Sequence, residues 1–266
     1  MTRKGKVALL LILFLFLSSL IAPLFCNVDP NRIDLESLKK SPSLVHPFGT
    51  DNKGRDIMWR VIYGGKISIG VAVVAALISA GVGFCVGLVS GYLGGRTDLL
   101  MMSVVDFLLS FPSLLLAVAI SVILPPGVYT VMIALSVVGW TSFARLIRGH
   151  VFTLKDMAFV DAAKAVGCGN MRILLFHIAP LCIPLSLVMI GIKLGGFILA
   201  EATLSFLGLG AQPPMPTWGS MISANRAYIL TSPWMVFFPG MAISLTAFCF
   251  NMLGESLKER QQLREL

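Results

Sequence analysis

The chain has 266 residues, of which 56% are hydrophobic and only 13% charged, with a formal net charge of +8. A soluble domain carries about 25% charged residues, and a mean hydropathy of +0.87 suits a chain solvated mostly by lipid, which argues against a soluble enzyme. The basic excess then reads as a topology signal rather than a nucleic-acid signal, and no nucleic-acid partner is expected.

Residues 1–6 carry Arg3, Lys4 and Lys6 and lead into an apolar run over 7–25. At ~19 residues this run exceeds a signal-peptide core. It ends in Ala22-Pro23-Leu24-Phe25-Cys26 without an A-x-A cleavage site, so an uncleaved first membrane helix is expected. Residues 27–60 are polar, contain Pro30, Pro42 and Pro47, and read as a solvent-side segment. Further apolar runs occupy 67–90, 100–124, 128–147, 181–203 and 234–253. Each is near the ~20 residues a helix needs to cross the hydrocarbon core, so about six transmembrane helices and an all-α membrane fold are expected.

Basic residues set the orientation. Six spans with an internal N-terminus place 1–6, 91–98, 148–176 and 254–266 in the cytoplasm, with Arg96, Arg148, Lys155, Lys164, Arg172, Lys258, Arg260 and Arg264 among their cations. The first external segment is itself basic, but segments next to the spans carry most of the weight, which favours both termini inside. Gly83, Gly87, Gly91 and Gly95 recur every four residues at the end of the second run. Small residues at that spacing form a groove for a neighbouring helix; with no strand before them they are not a nucleotide cradle.

Asp106, Lys193 and Glu201 are the ionisable residues in or beside the apolar runs. A charge at bilayer depth costs about 2.5–3.5 kcal/mol on insertion scales, so such residues face a cavity or a partner. They are the candidates for a translocation path, against the plainer reading of local pairs or subunit contacts. The five cysteines are scattered and the three histidines far apart, so neither a disulfide nor a metal site is expected.

The polar interruption at 148–176 is the most informative stretch. It contains Asp161-Ala162-Ala163-Lys164-Ala165-Val166-Gly167, then nine residues, then Pro180 after His177-Ile178-Ala179. Residues 154–166 have good helix formers, and Gly167 is placed to end the helix in the left-handed conformation. A second short helix from about Met171 is expected to reach Pro180, where the fifth span starts. The small pair Ala162-Ala163 gives this helix–turn–helix a surface suited to a groove on a partner protein, although a solvated connecting loop is also consistent with the composition.

This pattern resembles the coupling loop of ABC importer permeases, whose consensus is EAA, three residues, Gly, nine residues, I-x-L-P. Asp161, Ala162, Ala163, Gly167 and Pro180 match at the family spacing, with Asp161 in place of Glu, while His177 and Ala179 depart from it. His46-Pro47-Phe48-Gly49-Thr50-Asp51-Asn52-Lys53-Gly54-Arg55-Asp56 and Glu201-Ala202-Thr203-Leu204-Ser205-Phe206-Leu207-Gly208-Leu209-Gly210 are similar to signatures of the C-type subunit of the peptide/nickel permease family. The resemblance covers roughly 45–255. It implies the type I importer permease fold of the methionine importer, with an N-terminal helix and external segment at 1–66, a permease core at 67–255 with its coupling loop at 154–180, and a cytoplasmic tail at 256–266. It also implies a prokaryotic inner-membrane location and four kinds of partner: a homologous permease, two ABC ATPase subunits, an extracytoplasmic solute-binding protein and membrane lipid.

In that family the coupling loop docks on the ATPase, so Ala162 and Ala163 are expected against its groove. The substrate implied is a di- or oligopeptide, with nickel or another small solute as the alternative. A secondary transporter is the alternative from another class; it would need paired midplane charges, where the sequence offers mainly Lys193. No GxxxxGK[ST] loop is present, so no cofactor is expected on this chain; ATP and Mg belong to the partners. No HExxH or GxSxG motif is present either.

Overall fold

The computed structural model describes residues 3–25 and 28–265. Cys26 lies outside the described residues, as do the side chains of Arg3, Lys4, Arg260 and Arg264 invoked for topology. The helices are α1 (Arg3–Phe25), α2 (Ile57–Leu93), α3 (Gly95–Leu109), α4 (Ser113–Ile123), α5 (Val128–Leu154), α6 (Ala158–Ala165), α7 (Asn170–Ile173), α8 (Ala179–Phe206), α9 (Trp218–Asn225) and α10 (Trp234–Glu265). A π-helical turn, Leu174–Ile178, joins α7 to α8, so that Asn170–Phe206 is one continuous rod.

Among the described residues, four helices are long and apolar enough to cross a membrane: α2, α5, the α7–α8 rod and α10. The third apolar run, over 100–124, is not one continuous helix. It is the pair α3 and α4, bent by 88°. Pro112 is the cause: it has no N–H to continue the helix, and its ring disfavours helical backbone at Phe111. Counted as one span, the pair brings the number of such units among the described residues to five, and α1, with its described apolar part at Gly5–Ser19, packs on α10 and α2.

The second short helix expected before Pro180 is likewise not separate, because it continues into α8. Pro180 has no N–H for the Phe176 carbonyl. The turn before it widens, and the Ala179 N–H reaches back to the Leu174 carbonyl.

Helix α2 starts ten residues before its apolar run because Asp56 caps it, accepting from Trp59 N–H at 3.2 Å. Its 37 residues extend about 55 Å. It lies along α5 in the same direction. A Cβ on Gly83 would sit 2.5 Å from Phe143 Cβ and from Trp140 O, on Gly87 2.7 Å from Ala144 O, and on Gly91 2.8 Å from Arg148 O and Val151 Cβ. Each step of four on α2 is matched by a step of four on α5, so the backbones touch for three turns. Gly95 takes no part; it lies past the end of α2, with φ +54 and open space around it. A second seam joins α8 to α10, antiparallel: a Cβ on Gly191 would meet Gly254 Cα at 3.0 Å, and one on Gly195 would meet Ala247 O at 2.9 Å.

The main core cluster runs through α1, α2, α4, α5, α8, α9 and α10. A second cluster at one end of the bundle gathers Leu88, Ile147, Val151, Leu154, Val160, Ala163, Ile173, Ile178 and Cys182.

The seam predicts a sharp contrast between two glycines of α2. Gly83→Ala must push Phe143 and the α5 backbone aside and should destabilise the protein by about 1–3 kcal/mol. Gly81→Ala meets nothing within 4 Å and should leave the thermal midpoint in detergent unchanged.

Candidate functional site

Three regions carry the residues singled out by sequence. The first is the corner formed by α6, α7 and the start of α8. Val160 and Ala163 point inward, 0% and 8% exposed, onto the second core cluster. Asp161, Ala162, Lys164, Ala165 and Val166 point outward. The structure therefore separates the alanine pair: Ala163 is part of this chain's own core and Ala162 is the surface residue. Gly167 has φ +87. The Cys168 N–H bonds the Ala163 carbonyl at 3.0 Å and the Gly167 N–H bonds the Lys164 carbonyl at 2.9 Å, the pair of bonds that closes a Schellman cap. The Asp161–Lys164 ion pair at 3.2 Å is exposed and contributes little.

His177 sits half-buried in the π-helical turn, and Pro180 lies in the first turn of α8. Met157, Val166, Met171 and Phe176 are exposed apolar side chains around this corner, Val166 by 85%. Two contacts brace it. Tyr92 Oη is 3.1 Å from Asn170 Oδ1. Asp98 accepts from Arg148 Nε at 2.9 Å and from the Ser90 hydroxyl, tying the ends of α2 and α5 to the start of α3. Sequence reasoning missed the Asp98–Arg148 pair, whose members are 50 residues apart; the only signal was opposite charge at the ends of two apolar runs.

The second region is a pair of cavities on the face formed by α3, α4, α5 and α8. One, of about 340 Å³, is lined from both sides of the Pro112 bend by Leu109, Phe111, Ser113 and Ala117, and by Gly139, Ser142, Lys193 and Phe197. The other, of about 730 Å³, is lined by Arg145, Gly149, His150, Leu185 and Met189, and again by Leu109, Ser142 and Lys193. Lys193 stands where the two meet, and its Nζ lies 3.3 Å from Ser142 Oγ. Asp106 lines neither cavity. It is paired with Arg145 on the exposed side of α3 and α5.

The third region is the end of the bundle opposite α6. Glu201 is 1% exposed. Its Oε1 accepts from Ser205 Oγ at 2.7 Å, and Ser68 lies beside it. Ser68 Oγ accepts from the Trp218 N–H at 3.3 Å, and Trp218 Nε1 donates to the Val61 carbonyl at 2.8 Å. Glu201 therefore sits where α2, α8 and α9 meet and lines neither cavity.

The stretch beginning at His46 folds into a cap over the same end. Asp51, 1% exposed, accepts from the backbone N–H groups of Lys53 and Arg55 at 2.8 and 3.0 Å and from Arg55 Nε at 2.7 Å. His46 Nδ1 lies 2.9 Å from Asp56 Oδ2, and Trp234 Nε1 donates to the Thr50 carbonyl. At Gly54, φ is +74 and a Cβ would lie 1.7 Å from the Asp34 carbonyl oxygen, so only glycine fits.

The chain is thus a bundle of helices long and apolar enough to cross a membrane, with an ordered corner at one end and two cavities along one face. The chain belongs to the family of binding-protein-dependent transport system inner membrane components, whose model matches residues 83–262. It is 39% identical over 257 residues to the oligopeptide transport system permease protein OppC of Bacillus subtilis, covering 97% of this chain and 84% of that one. It is 41% identical over 263 residues to the dipeptide permease DppC of Alkalihalophilus pseudofirmus and 41% over 261 residues to the glutathione permease GsiD of Escherichia coli. In both of those cases the match covers 97% of this chain and 86% of the relative. Its fold matches a chain of the MetNI methionine ABC transporter in inward-facing form with a TM-score of 0.57 at 18% identity, over 76% of this chain and 97% of that one. The fold is thus that of a type I ABC importer permease.

The cap on α6 yields a direct test. Nothing lies within 4 Å of a Cβ at Gly167, so Gly167→Ala meets no clash and suffers only the left-handed backbone, about 1–2 kcal/mol. Hydrogen exchange over residues 158–168 should quicken while the apolar helices stay protected, and Gly167→Asn should be milder.

Proposed function

We propose that this chain is one of two homologous permease subunits of an ATP-driven importer for di- or oligopeptides. The face bearing the two cavities lines the path, and the second permease closes it. Lys193 lies on that path. Asp106, paired with Arg145, is at its edge, and Glu201 braces the end opposite α6. A solute-binding protein delivers peptide at the end capped by residues 28–56, two ATPase subunits bind ATP and Mg at the other, and both termini are cytoplasmic. The relatives named above for oligopeptides, dipeptides and glutathione, which match nearly the full chain, support the peptide class.

The observation that carries the mechanism is the fastening of α6. Val160 and Ala163 lie in the same core cluster as Leu88 of α2, Ile147 and Val151 of α5 and Cys182 of α8. A partner that pushes on α6 therefore moves the ends of three apolar helices together. Work is transmitted only where the partner's contacts differ between two states, and a short packed helix passes on such a difference where a loose loop would absorb it. Ala162, Val166 and the exposed Met157, Met171 and Phe176 are the residues available for that docking. Ala163, being buried, holds the helix in place.

The two alanines should therefore fail differently. In vesicles holding the assembled importer, Ala162→Glu should leave folding intact but uncouple ATP hydrolysis from peptide uptake, and the ATPases should be lost on gentle purification. Ala163→Glu places an unpaired charge in the core and should loosen the corner itself, seen as faster hydrogen exchange at 158–180. Normal uptake with Ala162→Glu in well-expressed protein would overturn the docking assignment. Uptake driven by a proton gradient without ATP would overturn the importer reading.

A further inference from the structure

The strongest feature outside the corner is the charge balance of the two cavities. Among the described residues that line them, the titratable side chains are Arg145, His150 and Lys193, and no aspartate or glutamate faces either volume. The Arg145 charge is met by Asp106. Lys193 has no carboxylate within ion-pair distance among the described residues, and Ser142 Oγ is the hydrogen-bond partner of its Nζ. An ammonium group carries three donors, so Lys193 holds donors in reserve. It does so midway along an apolar helix, where an uncompensated cation is costly and calls for an anion. Both volumes lie within the ~300–1,000 Å³ typical of small-molecule sites.

We infer that Lys193 is the contact for a carboxylate of the translocated solute, the C-terminal carboxylate of a peptide, at the waist between the two cavities. This rests on the reading of that face as half of the path. The chemistry follows from the position. A carboxylate leaving the wide cavity or the narrow one exchanges water for the ammonium group and the Ser142 hydroxyl, a charge-assisted pair in a partly dry setting. A single lysine on a flexible stem binds as a point charge, without the two-pronged grip of an arginine. It therefore passes peptides of different sequence that share one terminal group. The surrounding Gly196, with nothing within 4 Å of a Cβ, and Ala200 leave room for varied side chains without selecting among them.

The test uses the assembled importer in lipid vesicles and three probes: a neutral tripeptide with a free C-terminus, its C-terminal amide, and an amide bearing one glutamate. ATP-dependent uptake of each is compared between Lys193→Met and the unsubstituted chain. Uptake of the free-carboxylate peptide should fall about tenfold while that of its C-terminal amide holds, and Lys193→Arg should restore most of the loss. An amide refused by the unsubstituted importer but admitted by Lys193→Met supports the same contact. A fall confined to the glutamate amide would overturn the C-terminal assignment in favour of a side-chain carboxylate. An equal fall for all three would overturn the proposal and point to a fixed ion pair with the second permease. No change for any would overturn it outright. Failure of the unsubstituted importer to carry any peptide would instead overturn the functional reading on which it stands.

Discussion

Everything else in this bundle is positioned by the contact of two backbones, those of α2 and α5. Removing the side chains at Gly83, Gly87 and Gly91 brings the α2 backbone onto Trp140, Ala144 and Arg148 of α5. Lipid tails are as apolar as leucine, so burial of apolar surface gives these helices little reason to associate. Close van der Waals packing must do it. Glycine at every fourth position is the arrangement that maximises such packing. The seam also fixes the ends: where α2 and α5 stop together, Ser90, Asp98 and Arg148 are brought into one hydrogen-bonded group, and the cluster that holds α6 begins.

The corner at α6 is thus an extension of the seam. Leu88 from α2 and Ile147, Val151 and Leu154 from α5 form the floor on which Val160 and Ala163 rest. The continuous rod from Asn170 to Phe206 supplies the other wall, and its widened turn before Pro180 lets it continue where a straight helix would break. Rigidity at this end and open volume along the α3–α5–α8 face are properties of different helix contacts. The chain can therefore be stiff at one end and hollow along one face.

Much of this was legible in the sequence. The apolar runs marked the long helices, because a lipid-solvated helix needs a fixed length of apolar residues. The left-handed Gly167 and the close-packing role of Gly83, Gly87 and Gly91 followed from local chemistry. Pro112 is visible in the sequence, but its bend is not, since the surrounding run stays apolar on both sides of it. The division of labour between Ala162 and Ala163 was not legible. An eight-residue helix carries too few apolar positions to fix its phase, and only the floor supplied by α2 and α5 shows which side is in. The antiparallel seam of Gly191 with Gly254 and of Gly195 with Ala247, and the meeting of Glu201, Ser68 and Trp218, join positions far apart in the chain. No local spacing records them.

The bend has a topological meaning. Two helices that run side by side in the same direction force the chain between them to return the full height of the bundle. A straight return helix would lie flat against the seam and occupy the very volume now open beside Leu109, Phe111 and Ala117. Breaking the return leg at Pro112 displaces it sideways and leaves a hollow lined from both sides of the bend. One imino acid in the chain's return leg thus does what would otherwise require hollowing out a well-packed interior.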